Sequence, residues 1–301
     1  MEGVIVKQNV GIDISKENFI ACFCFQRERG MLSLGKPVQY KVKYYAKSLN
    51  IKTKTDWVDA RIIAQMGIER DLQLWTPPKP VYQKLRALTR YLQELKEQKL
   101  MIGNYLEALT HSVFSEDFVI KSQKTLLQNI EKQIKECEKR IATTIKSDAE
   151  LSEKVKNLET IKGVGLTTIA VIIAETQGFA LITSGKQLAS YAGLDVVERQ
   201  SGTSIKGKTT ISKKGNKRIR NALYFPAIVA SMHNKPLKED YQRITAHKSH
   251  KKIGIVALQR KLLLLMYALW KKNEIFQPEM QKLLSNSRLK FSFVGDKDSI
   301  K

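Results

Sequence analysis

The chain has 301 residues, enough for two or three domains, and 43% of them are hydrophobic, which excludes a disordered protein. It carries 52 lysines and arginines against 29 aspartates and glutamates, a net charge of +23. This excess favours a polyanionic partner, with nucleic acid as the first candidate and an anionic membrane surface as the second. Three cysteines form no disulfide framework, and four scattered histidines show no zinc-ligand spacing.

The most apolar segment, residues 253–270, is interrupted by Gln259, Arg260 and Lys261. We therefore predict no membrane-spanning helix and no membrane partner. The first residues also lack the layout of a signal peptide. These features favour a protein that acts in the cytoplasm.

The N-terminal residues predict strands. Residues 9–15 and 18–25 indicate two adjacent strands joined by a tight turn, and residues 38–45 indicate a third. Asp13 lies inside the first apolar run, where a carboxylate is costly to bury unless something compensates its charge. A metal ion would compensate it, and the alternative is an aspartate that caps the following turn.

A helix is predicted to begin at Thr55-Asp56 and to run to about Gly67. Asp56 and Asp59 are three residues apart, so they lie on one face of its first turn. Two carboxylates there could share a hard cation such as magnesium. The alternative is that they are favourable charges at a helix N-terminus and bind no ligand.

A proline-rich linker at residues 75–80 precedes two heptad stripes, at 85–113 and 127–145, which are separated by a break at 114–121. The two stripes predict an antiparallel, coiled-coil helical hairpin. The same stripes could form a face for dimerisation, and the sequence does not separate these alternatives.

The segment 158–174 predicts a helix-hairpin-helix, in which Gly163-Val164-Gly165 forms the turn. Glycines there would let a phosphate approach the backbone and the free N–H groups of the second helix. An ordinary tight turn is the alternative. A short helix at 186–193 and a strand at 194–199 follow.

Residues 199–220 contain eight lysines and arginines and no acid, separated by glycine, serine and threonine. This composition predicts a loop or hairpin that contacts a sugar-phosphate backbone, and the alternative is a solvated basic loop. A helix at 219–232 follows, and the positive charges at its start predict an anionic partner. Two more helices are predicted at 237–246 and 253–270. The candidate nucleic-acid-binding residues are Gly163, Gly165, Arg199, Lys206, Lys208, Lys213, Lys214, Lys217, Arg218 and Arg220.

Three segments together resemble one family. They are residues 11–16 (Gly-Ile-Asp-Ile-Ser-Lys), residues 54–61 (Lys-Thr-Asp-Trp-Val-Asp-Ala-Arg), and the block from 161 through Tyr-Ala-Gly-Leu at 191–194 to Ser-Lys-Lys-Gly-Asn at 212–216. The chain resembles the insertion-sequence transposases related to the Piv DNA invertases. The resemblance implies an α+β, mostly helical fold. Its expected parts are a RuvC-like (RNase H-like) domain at 1–75, a coiled-coil hairpin at 76–150, a transposase domain at 151–280 and a polar tail at 281–301.

The resemblance also implies the chemistry of a DNA recombinase. Asp13, Asp56 and Asp59 match three of the four family acids that hold Mg²⁺, and Ser201 matches the serine proposed to attack DNA. Arg199, Lys206 and Lys208 are near enough in sequence to neutralise the phosphate. The implied partners are DNA, a guide (bridge) RNA and further copies of the chain in a dimer or tetramer.

The chain departs from the family at one position. The family places a glutamate strand between the first and third acids, but the 42 residues between Asp13 and Asp56 contain no such motif. The first domain is therefore predicted to be internally shortened. A non-catalytic nucleic-acid-binding remnant is the alternative function. A nuclease of the Holliday-junction type is a third, against which the Ser201 block argues.

Overall fold

The structure is a computed structural model that describes residues 5–14, 19–27, 40–69, 78–180, 182–198, 200–201, 205–207, 209–246, 248 and 250–277. The chain forms two compact units, Met1–Pro77 and Pro78–Lys301, here called the N-terminal and C-terminal units. The described residues are mostly helical with a few short strands, as predicted. The finer division into four domains stays a prediction.

The N-terminal unit contains a two-stranded antiparallel ribbon. Strand β1 (Ile5–Ile14) pairs with β2 (Phe19–Arg27), so the two predicted adjacent strands are confirmed. Helix α2 (Asp56–Glu69) packs against both strands and confirms the helix predicted there.

The predicted third strand is wrong, because residues Tyr40–Ser48 form helix α1. Val42, Tyr45 and Ala46 recur at helical spacing and pack with Ile62 and Met66 of α2 in a small core. Tyrosines and a valine favour a strand, but the lysines and alanine of this segment suit a helix, and packing on α2 decides between them.

The predicted helical hairpin is confirmed. Helix α3 (Pro80–Thr110) begins with a proline, which is well tolerated at the first helical position, and α4 (Asp117–Lys146) returns antiparallel to it. Contacts between the helices include ion pairs from Lys96 to Glu138 and from Lys99 to Glu131. We call α3, α4 and the turn between them the helical hairpin.

The remaining helices build the main core of the C-terminal unit. They are α5 (Ala149–Glu159), α6 (Leu166–Thr176), α7 (Gly185–Ala192), α8 (Lys217–His233), α9 (Lys235–Thr245) and α10 (Lys252–Lys272). The ring of Phe179 packs edge-on against Tyr267 and Trp270 of α10. The helices predicted at 186–193, 219–232, 237–246 and 253–270 are confirmed, with shifts of a few residues at the ends, whereas the helix-hairpin-helix at 158–174 stays a prediction.

Helix α10 is long and apolar enough to cross a membrane by length and composition, despite the polar residues that interrupt it. Most of it is nevertheless buried, and it contacts α5, α7, α8 and α9. Its apolar length is therefore explained by its position at the centre of the C-terminal unit. The predicted polar tail from residue 281 lies outside the described residues.

Candidate nucleic-acid interface

The basic stretch forms short paired strands between α7 and α8. Strand β3 (Val196–Val197) pairs with β6 (Thr210–Ile211), and β4 (Gln200–Ser201) pairs with β5 (Ile205–Lys206), all antiparallel. We call residues 196–211 the basic hairpin, and its existence confirms the prediction of a loop or hairpin. Ser201 lies on β4 opposite Ile205. The side chains of Arg199, Ser201, Lys206 and Lys208 lie outside the described residues.

Two segments, 191–195 and 212–216, dock on each other at the base of the basic hairpin, and we call them the clasp. The Asn216 N–H donates to the Tyr191 carbonyl at 2.8 Å, and the Lys213 N–H donates to the Gly193 carbonyl at 3.1 Å. Ser212 donates from its N–H to the Asp195 carbonyl at 2.9 Å and from its hydroxyl to the Asp195 carboxylate. The two motifs Tyr-Ala-Gly-Leu and Ser-Lys-Lys-Gly-Asn, which both belong to the third segment of the family resemblance, are thus in direct contact.

Glycines make this close docking possible. Gly193 ends α7 with φ of +67°, a conformation that favours glycine. A Cβ atom on Gly215 would lie 2.5 Å from the Gly193 nitrogen and 2.5 Å from the Tyr191 oxygen, both backbone atoms. The two segments of the clasp can therefore stay in contact only while residue 215 has no side chain.

A buried carboxylate anchors the clasp to the helical hairpin. Glu175, at the end of α6, is 3% exposed and accepts two hydrogen bonds from Arg90 of α3, at 2.8 and 3.2 Å. Asn216 donates to the same carboxylate at 2.8 Å, and the Tyr191 hydroxyl donates to the Glu175 carbonyl at 2.8 Å. Glu175 therefore contacts both segments of the clasp.

Burial by itself would raise the pKa of Glu175. Hydrogen bonds from Arg90 and Asn216, together with the positive charges of Arg90 and Arg86, outweigh it and hold the pKa below its usual value. Glu175 was not among the residues predicted from the sequence, although a single acid directly after the apolar run 169–174 was a signal. Its arginine partner lies 85 residues earlier, so no local pattern could connect them.

The start of α8 carries exposed positive charge next to the clasp. The Asn216 side chain accepts from the N–H groups of Arg218 and Ile219, at 2.9 and 3.3 Å, and so caps α8. Lys213, Lys214 and Lys217 are exposed, and Arg218 is half-buried. These four predicted contact residues lie in the clasp or in the first turn of α8, beside the basic hairpin.

Arg220 has a partner within the chain. Its guanidinium donates to the carbonyl oxygen of Ala192 at 2.6 Å, at the C-terminal end of α7, where the helix dipole favours a cation. The anionic partner that the sequence predicted is therefore not needed to explain Arg220. Its role in binding nucleic acid stays a prediction.

The turn between α5 and α6 contains the two predicted glycines, which differ in their surroundings. Gly163 has φ of +96°, and a Cβ there would lie 3.2 Å from the Ala230 nitrogen and the Pro226 oxygen of α8. Gly165 is the exposed N-cap of α6, and a Cβ there meets nothing within 4 Å. Close packing against α8 explains why residue 163 is a glycine. No such contact explains Gly165, which instead lies next to the free backbone N–H groups at the start of α6.

Substitution by alanine tests the two roles separately, packing at Gly163 and phosphate binding at Gly165. Gly163→Ala is expected to lower the free energy of unfolding by about 1–3 kcal/mol, because it forces a strained φ and crowds α8. Gly165→Ala is expected to cost less than about 1 kcal/mol but to weaken DNA binding, since a methyl group would obstruct the backbone N–H groups. Denaturant unfolding and a DNA-binding titration measure both effects. Unchanged DNA affinity in Gly165→Ala would contradict the phosphate role of this turn.

The predicted acids lie in the N-terminal unit. Asp56 and Asp59 occupy the first turn of α2, where the Thr55 hydroxyl accepts from the Val58 N–H at 3.3 Å. Asp13 lies on β1, against which α2 packs, but its side chain is outside the description. Among the described residues no three His, Cys, Asp or Glu side chains form a metal-binding group. Carboxylates on an accessible first turn are nevertheless the oxygen ligands that Mg²⁺ prefers.

Exposed lysines beside the basic hairpin, in a chain of net charge +23, are typical of a protein that acts on nucleic acid. Comparison with known proteins then gives the family. A family model described as "Transposase IS116/IS110/IS902 family" matches residues 155–242, and a second, described as "Transposase", matches residues 34–115. The first match includes the turn of α5 and α6, the basic hairpin and the clasp, and the second includes Asp56 and Asp59.

Individual relatives support the same family assignment. The chain is 31% identical over 239 residues to the pilin gene-inverting proteins of Moraxella bovis and Moraxella lacunata, a match that covers 79% of this chain and 72% of each relative. It is 25% identical over 123 residues to an uncharacterised protein of insertion element IS110 from Streptomyces coelicolor, covering 41% of this chain and 30% of that protein. The chain belongs to the IS110 family of transposases and recombinases, which act on DNA. The DEDD domain of these transposases generally depends on a metal ion.

Proposed function

We propose that the chain is a recombinase that cleaves and rejoins DNA strands for an insertion sequence, with Ser201 as the nucleophile. The observation that carries this proposal is the clasp, which fixes both ends of the basic hairpin on a buried anchor. Ser201 follows the clasp residue Asp195 by six positions, so its strand begins close to the hydrogen-bonded clasp. A nucleophile needs such fixed placement, because attack requires the reacting atoms to be aligned.

The proposed step is a phosphoryl transfer. The Ser201 oxygen forms a bond to a DNA phosphorus while the phosphorus bond to the leaving deoxyribose oxygen breaks. The serine loses its proton to a base, the leaving oxygen gains one, and the covalent link preserves the bond for rejoining. Arg199, Lys206 and Lys208 are proposed to neutralise the phosphate charge, and Lys213, Lys214, Lys217 and Arg218 to hold the DNA backbone.

Asp13, Asp56 and Asp59 are proposed to hold Mg²⁺. Their carboxylates suit a hard cation, and two of them lie on one accessible helical turn. When bound, the ion would stabilise negative charge on phosphate oxygens. We also propose that the N-terminal unit is a RuvC-like domain and that the chain binds a guide RNA. Copies of the chain are proposed to assemble into a dimer or tetramer and to act in the cytoplasm.

A non-catalytic nucleic-acid-binding remnant is the second candidate. One observation favours it: among its described residues the N-terminal unit has two strands, whereas an RNase H-like sheet normally needs about five. Such a remnant would keep the basic hairpin and the clasp but perform no chemistry.

The test is a strand-exchange reaction with the element's end sequences, its flanking RNA and Mg²⁺. We expect a covalent protein–DNA species on denaturing gels, which Ser201→Ala abolishes while DNA affinity remains. Ser204→Ala is the matched control, because it removes a hydroxyl from the same basic hairpin three residues away. It should keep the covalent species.

The other outcomes assign the other functions. Binding without a covalent species in both wild type and Ser201→Ala indicates the remnant. Cleavage that Ser201→Ala leaves intact but Asp56→Asn abolishes indicates a nuclease. A covalent species that survives Ser201→Ala would reject Ser201 as the nucleophile.

A further inference from the structure

Helix α8 continues beyond its basic first turn with an exposed apolar stripe. Phe225, Val229 and Met232 are 72%, 38% and 52% exposed, and they recur at steps of four and three, so they lie on one face of the helix. The opposite face is buried through residues such as Leu223 and Ala227. Phe225 therefore presents a large aromatic side chain to solvent from a helix whose other face is packed in the core.

Neighbouring residues support both the ring and the backbone of Phe225. The Tyr224 ring packs edge-on against it, with the ring centroids 5.6 Å apart. Pro226, the next residue, has no N–H to donate to the carbonyl oxygen of Ala222 one turn earlier. The Thr168 hydroxyl of α6 donates to that oxygen instead, in a long hydrogen bond of 3.5 Å. The start of α6 thus contacts α8 at the turn that carries Phe225.

Positively charged residues lie near this ring. Arg218 precedes Phe225 by seven residues, so it lies on the same face of α8, about 10 Å closer to the start of the helix. Lys217 beside it is exposed. The Nζ atom of Lys252, on α10, lies 5.9 Å from the centre of the Tyr224 ring. Two helices, α8 and α10, therefore supply cations to the surface around Phe225.

An unpaired DNA base matches this combination of an exposed ring and positive charge. Residues 199–238 contain ten lysines and arginines and no aspartate or glutamate, so this surface attracts a phosphate backbone. Aromatic rings beside a basic groove bind single-stranded nucleic acid, because every base has a face that can stack on them. A base inside a duplex is already stacked on its neighbours and must leave the helix first. The proposed exchange of DNA strands supplies such unpaired bases.

We propose that Phe225 is a stacking site for an unpaired DNA base, next to the DNA-backbone contacts at the start of α8. Phe225 contacts the base, while Lys217 and Arg218 contact phosphates of the same strand. The site holds a separated strand in position and takes no part in the chemistry. This inference rests on the DNA contacts in the proposed function, but it does not depend on the nucleophile or the metal.

Binding of a single-stranded oligodeoxynucleotide, and of the matching duplex, to the full chain tests the site. Phe225→Ala is expected to weaken single-strand binding at least about fivefold, as loss of one aromatic–base stack does, and to leave duplex binding unchanged. Alanine at an exposed helical position should not impair folding. Phe225→Trp should keep the affinity, because it keeps an aromatic face. Phe114→Ala is the matched control, since Phe114 is 90% exposed and residues 100–120 contain no lysine or arginine.

Salt dependence and an abasic strand separate stacking from charge. The slope of log affinity against log salt concentration should be the same in Phe225→Ala as in the wild type, because no phosphate contact is lost. Lys217→Ala should make that slope shallower by about 0.7, the value for one phosphate contact on a single strand. An oligodeoxynucleotide with abasic sugars should bind the wild type and Phe225→Ala equally.

Unchanged single-strand affinity in Phe225→Ala, or no single-strand binding by the wild type, would overturn the proposal. Equal weakening of duplex or abasic-strand binding, or equal weakening in Phe225→Trp or Phe114→Ala, would reject base stacking. A loss seen only with single-stranded RNA assigns the site to RNA, and weaker self-association with unchanged DNA affinity assigns it to another copy. Weaker single-strand binding supports the site even where no covalent protein–DNA species forms, so the failure of this inference and that of the proposed nucleophile are distinguishable.

Discussion

Glu175→Ala is expected to lower the free energy of unfolding by about 3 kcal/mol, near the lower end for a broken buried ion pair. The carboxylate accepts from Arg90 and Asn216, and its loss leaves both donors without that acceptor. The arginines that face it are partly exposed and can reach water, which keeps the loss from being larger. DNA affinity should fall as well, because Asn216 then holds its segment of the clasp less firmly. Denaturant unfolding and a DNA-binding titration measure the two effects.

The pH dependence of the free energy of unfolding shows whether Glu175 stabilises the fold through its ion pair or only through packing. The folded-state pKa of Glu175 is held below its unfolded value, so its stabilisation is complete above the usual glutamate pKa. That stabilisation is lost as the pH falls from the unfolded pKa through the lower folded pKa. The stability difference between wild type and Glu175→Ala should therefore shrink on acidification. Glu159→Ala, which removes an exposed glutamate of α5, should show little difference at any pH. A constant difference for Glu175→Ala would reject the ion-pair account.

The long helices could be predicted from the sequence because their apolar periodicity is local. The stripes that begin at Leu85 and Leu127 contain enough repeats to predict both helices, and their antiparallel pairing within one chain follows from the structure. Helix α1 could not be predicted in the same way. Its nine residues suit a strand or a helix, and contact with Ile62 and Met66 of α2 decides the outcome. Short elements depend on tertiary packing more than long ones do.

The clasp shows a second limit of sequence reasoning. Gly193 was correctly predicted to end a helix, and its φ of +67° is a conformation that favours glycine. The contact of Gly215 with the backbone of Tyr191 could not be predicted, because it joins segments that are distant in the chain. The basic residues gave the location of the candidate interface, whereas the uncharged and acidic residues that position it emerged only from the structure.

Gly215→Ala is expected to lower the free energy of unfolding by about 1–3 kcal/mol and to weaken DNA binding without removing any charge. The added methyl group would lie within 3 Å of three backbone atoms, those of Tyr191, Ala192 and Gly193, and backbone cannot move aside as a flexible side chain can. The two segments must separate, so the hydrogen bonds from Lys213 and Asn216 to segment 191–195 lengthen or break. Hydrogen exchange of these two amide groups should become faster, and a DNA titration at fixed salt should give lower affinity.

Gly103→Ala is the control for the effect of adding a methyl group to a glycine. Gly103 lies within α3, and a Cβ there meets nothing within 4 Å, so alanine should stabilise the helix by up to about 1 kcal/mol. The opposite signs expected for the two variants follow from the space at each glycine, since the chemical change is the same. If Gly215→Ala keeps wild-type stability and DNA affinity, the clasp does not hold the basic hairpin in its binding conformation. If stability falls while affinity is unchanged, the clasp stabilises the fold, and the basic hairpin binds DNA without it.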